Sequence, residues 1–178
     1  SRFVLIGSMN PEEGNLRPQL LDRFGMVVDV QAEEDVDRRV QIIENRLSYE
    51  KNPRYFCRKY AEEQAELAEK IRTAREFLPC VKVPKELLRL AAEICIAYGT
   101  DGHRGDIGMI RTARTIAALD GRKKASREDL KRAAHYVLPH RMRKNPLESG
   151  QMAPQIMEEI LSHDRKNSRE PEASGEGD

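Results

Sequence analysis

From Gln31 onward the chain offers a single periodicity: apolar residues recur every three or four positions, the spacing that lines one face of an α-helix. Val36, Val40, Ile43 and Leu47 form the first core-facing stripe. It follows an acidic turn, Glu33-Glu34-Asp35, that complements the positive end of a helix dipole. A long helix is predicted from Pro53 to Leu78, with Ala61, Ala65, Ala68, Ile71 and Ala74 on one side and Pro79 as its stop. A third starts near Pro84, carries Leu87, Leu88, Ala91, Ile94 and Cys95, and ends near Gly99. A fourth runs from Arg104 to Leu119 with Ile107, Ile110, Ala113 and Ala117 inward and Gly121 as its stop. Ser126 and Asp129 match a capping box that opens a fifth helix through Leu138 and Pro139, and a last short helix spans Pro154 to Leu161.

Only the first thirty or so residues read otherwise. Phe3-Val4-Leu5-Ile6-Gly7 is a continuous apolar run of the kind found in strands buried on both faces, and Met26-Val27-Val28-Asp29-Val30 is a second strand candidate after a turn at Gly25. Between them lie a loop at Asn10-Pro11-Glu12-Glu13-Gly14 and a short helix over Arg17–Phe24 with Pro18 in its first turn. A lone buried strand cannot satisfy its own backbone. The chain also begins at Ser1 and is apolar by Phe3, so it reads as cut from something longer. From Ser162 to Asp178 the residues are polar, which predicts a disordered acidic tail or a linker.

Charge excludes two classes of partner. Of 178 residues 34% are charged, yet Lys+Arg 31 nearly balance Asp+Glu 30, so there is no net positive field for a dedicated nucleic-acid or anionic-membrane binder. No run approaches the roughly 18 apolar residues of a membrane span, and no secretory leader is visible. Cys57, Cys80 and Cys95 are too far apart for a C-x-x-C metal site and odd in number, which reads as reduced, buried thiols. His135 and His140 are split by Pro139 and form no i, i+4 metal pair. The run His140-Arg141-Met142-Arg143-Lys144 suits either an acidic partner or a solvated helix end.

Three constellations carry possible chemistry. Asn10 follows the first apolar run, where an amide can orient a water or a phosphate oxygen or can simply close an Asx turn. Asp22-Arg23 precedes Phe24-Gly25, so that Arg23 can present a planar fork to phosphate oxygens or join a surface ion pair. In Gly102-His103-Arg104-Gly105-Asp106, glycines would let backbone approach a ligand while Arg104 starts a helix. The alternative is a glycine-containing loop with a solvated arginine.

The stretch from Gly7 through Asn10-Pro11-Glu12-Glu13-Gly14-Asn15-Leu16-Arg17-Pro18-Gln19-Leu20-Leu21-Asp22-Arg23-Phe24 to Gly25 closely resembles the AAA+ ATPase subunits of magnesium chelatase and the related cobalt chelatases. So do Gly102-His103-Arg104-Gly105-Asp106-Ile107, the run from Arg111 to Arg122, and Leu138-Pro139-His140-Arg141. The resemblance extends to about Leu147. It implies that Asn10 is sensor 1, Arg23 the arginine finger acting on a neighbouring subunit, Arg104 the sensor 2 arginine, and Asp22 an interface residue. No protein residue is implied as a ligand of a resident metal.

The implied fold is mainly α: the C-terminal part of an AAA+ α/β module, contributing two late sheet strands, followed by a helical lid. Residues 1–31 would belong to the core, 32–82 to a helical connection, 83–147 to the lid, and 148–178 to a short helix and tail or linker. A G-x-x-x-x-G-K-[ST] phosphate loop and an acidic Walker B strand are both missing from this sequence, and Gly121-Arg122-Lys123-Lys124 lacks the first glycine. The chain alone is therefore expected to be inactive and to hold no cofactor, whereas the intact protein would use ATP and Mg²⁺. The implied partners are other AAA+ subunits in a ring, an integrin-like-domain subunit and a large porphyrin-binding subunit, in the cytoplasm or a plastid stroma. Other AAA+ machines of the MoxR kind, and a non-catalytic helical interaction module, are the competing readings.

Overall fold

The computed structural model describes residues 3–10, 14, 16–100 and 102–141. Within them the order is α1 (Pro18–Leu21), α2 (Val36–Lys51), α3 (Pro53–Lys59), α4 (Ala61–Phe77), a 3₁₀ turn (Leu78–Cys80), α5 (Lys85–Ala97), α6 (Arg104–Leu119) and α7 (Arg127–Val137). The helix expected over Pro154–Leu161, like the polar tail, lies outside the described residues.

The core is the packing of α5, α6 and α7, joined by the end of α4. Leu90 and Ile94 from α5, Met109 from α6, Leu130 and Val137 from α7, and Leu138 are all fully buried. At about 1.5–3 kcal/mol for each fully buried aliphatic side chain, these are the main source of cohesion. Small residues bring the helices close: Ala113, Ala117, Ala133 and Ala134 are sealed in the same core. At Gly108 a Cβ would lie 2.9 Å from Val137 Cγ1.

The ends of these helices are written locally. Gly99 and Gly121 take positive φ, 62° and 68°, one residue past their helix caps. In each case the glycine and the next residue donate back to the last turn: Gly99 to Ile96 and Thr100 to Cys95, Gly121 to Ala118 and Arg122 to Ala117. Ser126 and Asp129 form the expected capping box. Asp129, itself buried, also takes both guanidinium nitrogens of Arg122 at 2.7 and 2.5 Å. Burial works to raise the Asp129 pKa, but the hydrogen bonds from Arg122 and Ser126 outweigh it and the net shift is downward. Arg122 is therefore committed to the start of α7 rather than to a phosphate loop.

Four expectations are corrected. The predicted strands are not strands: residues 3–10 and 26–30 have irregular backbone, and Phe3, Val4, Leu5 and Ile6 are 65–89% exposed. A strand exists only where a neighbour takes its N–H and C=O groups. Among the described residues the one such pairing is an isolated parallel bridge between Lys82 and Lys124. The predicted helix over Pro53–Leu78 breaks at Tyr60, where Phe56 and Tyr60 fold back toward Tyr49 of α2. The ring centroids are 5.8 Å apart for Tyr49–Phe56 and 5.0 Å for Phe56–Tyr60. The α2 stripe Val36, Val40, Ile43 and Leu47 forms a helix but is 47–71% exposed, because α2 packs on α3 and not on the core. Cys57 and Cys80 are exposed, and only Cys95 is buried. Its surroundings push the thiol up to about 12, burial being the main cause.

Faces shift too. Met109, not Ile107, is the sealed residue at the start of α6, and Leu88 of α5 and Ile71 of α4 lie partly in solvent.

Candidate functional site

Arg23 sits at the tip of a turn. Pro18 fixes the first turn of α1, and the helix ends after Leu21 because Asp22, Arg23 and Phe24 tighten into bonds to Pro18, Leu20 and Leu21 carbonyls at 3.0 Å each. The side chain of Arg23 is exposed and has no ion pair among the described residues. Its neighbours on either side are fixed. Phe24 is half-buried, and a Cβ on Gly7 would lie 4.0 Å from its ring, so the segment ending at Asn10 passes beside this turn. Asn10 is exposed.

Arg104 is the first residue of α6, and its guanidinium forms an ion pair and hydrogen bond with the Asp22 carboxylate, 82 residues away. The structure thus brings Asp22, the Arg23 turn and Arg104 together, and Asp22 is engaged within its own chain. Gly102, at φ 70°, makes the turn that delivers the chain into α6. Gly105 has a different task from the ligand approach its spacing suggested. A Cβ there would meet Cys95 Sγ at 3.2 Å, so its bareness lets the start of α6 lie against α5. His103 Nδ1 lies 3.2 Å from Asp106 Oδ2, an exposed pairing at the helix entrance.

The residues that sequence reasoning missed are His140 and Arg141. The Arg141 side chain is 4% exposed, the reverse of a solvated helix end. Its Nη1 donates to the Val137 carbonyl at 2.6 Å and to that of Gly25 at 3.2 Å. Its Nη2 donates to Phe24 O at 2.5 Å and Asp22 O at 3.3 Å, and Nε lies 3.5 Å from Asp22 Oδ1. His140 Nε2 lies 2.9 Å from the same Phe24 oxygen, a geometry that needs the Nε2–H tautomer as donor. Val27 N–H donates to Tyr136 O at 2.8 Å, extending the junction. Burial lowers the pKa of both His140 and Arg141, so the imidazole is held neutral while Asp22 supports the guanidinium charge. The hints in sequence were the basic run and the place of Leu138-Pro139-His140-Arg141 among the stretches that carry the resemblance, and neither assigned these two residues a role.

Chemically the site offers one held guanidinium, Arg104, and one free to reach out, Arg23. Both are planar forks suited to phosphate oxygens. No group of three or more His, Cys, Asp or Glu residues able to hold a metal occurs among the described residues. No helix among them is long and apolar enough to cross a membrane.

Residues 88–160 match the AAA lid domain. A magnesium-chelatase subunit ChlI homolog of Methanocaldococcus jannaschii is 44% identical over 162 residues, covering 91% of this chain and 44% of that protein. The magnesium-chelatase 38 kDa subunits of Acidiphilium rubrum and Rhodobacter capsulatus are 47% and 46% identical over 148 residues, each covering 83% of this chain and 43% and 42% of theirs. A crystal structure of a candidate ATPase from Cytophaga hutchinsonii shares the fold at TM-score 0.56 and 21% identity, over 83% of this chain and 48% of that one. The chain spans less than half the length of these curated relatives. Residues 88–160 thus carry an AAA lid over most of α5 and all of α6 and α7, and along more than four-fifths of its length the chain is similar to subunits named for magnesium chelatase.

Proposed function

We propose that the chain supplies three phosphate-facing groups of a chelatase-type AAA+ subunit: Arg23 as arginine finger, Arg104 as sensor 2 and Asn10 as sensor 1, with Asp22 at the subunit interface. The observation that carries the reading is the union of Asp22 with Arg104, which sets a guanidinium at the start of α6 beside the turn that exposes a second one. In phosphoryl transfer the protein mainly positions groups and stabilises charge on the equatorial oxygens, work for which exposed guanidinium forks are suited. Arg23 would serve the nucleotide of the neighbouring subunit, and Asn10 and Arg104 their own, so that a ring completes each site. ATP with its Mg²⁺ is the cofactor of the whole protein. Arg23, Arg104 and Asn10 fit the phosphates, and the described residues fit no cation by themselves.

In the whole protein, hydrolysis would drive insertion of a substrate Mg²⁺ into protoporphyrin. The partners would be further AAA+ subunits, an integrin-like-domain subunit and a large porphyrin-binding subunit, in the cytoplasm or a plastid stroma. The chain by itself, without a phosphate loop in its sequence, would not turn over ATP. The test is Arg23→Ala in the full-length protein. Hydrolysis should fall by about 10³-fold or more while nucleotide binding persists. Unchanged hydrolysis would favour a non-catalytic helical interaction module, and failure to capture a porphyrin-binding subunit would favour another AAA+ motor.

A further inference from the structure

The Arg23 turn has little to hold it from within. Helix α1 is four residues long, has no buried residue, and its cap at Arg17 makes no side-chain hydrogen bond. So short a helix is not stable on its own. What fixes the turn comes from the residues just after α7. Arg141 reaches the carbonyls of Asp22, Phe24 and Gly25, which flank Arg23 on both sides, and does so from a side chain that also grips Val137 at the end of α7. His140 adds a second donor to Phe24 O, and the Asp22 carboxylate faces both Arg141 and Arg104.

The geometry points to Arg141, assisted by His140, as the positioning residue of Arg23: it fastens to α7 the backbone that presents the finger. The direction in which Arg23 points is then set by where the lid sits. In a ring, a lid that shifts on its own subunit's nucleotide would move the arginine offered to the next subunit. This places a mechanical link between adjacent sites in a single buried guanidinium. It rests on the reading of Arg23 as the finger, and it adds a residue outside the phosphate-contacting set.

The charge alone does not perform this task. A guanidinium spreads five donors over a rigid plane and can hold four carbonyls at once, whereas an ammonium offers three donors on a flexible stem. Arg141→Lys should therefore keep the cation beside Asp22 and lose most of the carbonyl clamp.

The experiment is a double-mutant cycle in the full-length ATPase, with Arg141→Ala, Arg141→Lys and Arg23→Ala singly and in combination. ATP hydrolysis is resolved into kcat and KM, and folding is followed by helicity and melting. Misplacing a catalytic group by about 1 Å costs on the order of 10²-fold, so each Arg141 variant should lower kcat about 10- to 100-fold with KM for ATP nearly unchanged. In the Arg23→Ala background the same substitutions should lower kcat no further, because there is no finger left to position. Equal loss in both backgrounds would mean that Arg141 supports the fold in general, and normal kcat in both Arg141 variants would mean that the clamp is idle; either overturns the inference. If Arg141→Ala does not fold, Arg141→Lys alone decides. A full-activity Arg23→Ala protein would instead sink the finger assignment, and that outcome is distinct from failure of the clamp.

Discussion

At Gly108 α6 passes so near Val137 of α7 that a Cβ would clash, and Gly108→Ala measures how much the packing there depends on a missing methyl group. Two effects oppose one another. In a helix interior alanine is favoured over glycine by about 1 kcal/mol. The added Cβ would stand 2.9 Å from Val137 Cγ1, and Val137 is fully buried between the helices with nowhere to go. Overpacking of this kind costs about 1–3 kcal/mol, so the substitution should be neutral to destabilising, by up to about 2 kcal/mol. Val137→Ala removes the obstacle at its own cavity cost of about 1–3 kcal/mol. In that background Gly108→Ala should become stabilising by about 1 kcal/mol. Urea unfolding followed by circular dichroism, on the four members of the cycle, reads the change of sign. Equal stabilisation of about 1 kcal/mol in both backgrounds would refute the reasoning, since the two helices would then not touch at this height.

Asp129→Ala removes the cap of α7 and the bidentate partner of Arg122 together, and should cost about 2–3 kcal/mol in chemical denaturation. Because the folded pKa of Asp129 lies below its ordinary 3.8, its contribution is complete above that pH and is lost as pH falls through the folded value; the variant should lose this slope. His140 behaves in the opposite range. Burial lowers its pKa from 6.5, so the unfolded chain binds the proton first, and stability should be full above about pH 6.5 and decline as pH drops below it. Melting from pH 8 to 5 should show that decline, and His140→Gln should flatten it.

The helices of the lid were legible because their signals are local. Gly99, Gly121 and the Ser126–Asp129 box act within five residues of the helix end they define, and α6 begins and ends where its spacing predicts. Which face is inward was less legible: Ile107 and Leu88 keep the helical period yet lie at its edge, since the angle at which a neighbour packs decides the matter. The stripe on α2 predicts a helix correctly and a buried face incorrectly, because amphipathic spacing describes only one of the two surfaces that burial requires. Strand candidates suffer in the same way, as an apolar run has no hydrogen-bond ladder without a partner. In the site, Arg23, Asp22 and Arg104 were found through motifs, and their meeting came from the fold. Arg141 binds backbone carbonyls 116 to 119 residues away. Carbonyls are the same in every residue type, so no pattern of side chains announces such a clamp.

The central claim is that Arg23 acts on the neighbouring subunit's nucleotide and Arg104 on its own, and complementation tests it most directly. Full-length Arg23→Ala protein retains its own sensor 2 but offers no finger, and Arg104→Ala protein offers a finger but has a damaged site. Each alone should hydrolyse ATP poorly. Mixed before ring assembly, they should regain hydrolysis, because an intact site on one protein meets an intact finger on the other. Activity that stays at the level of the separate proteins at every mixing ratio would contradict the account.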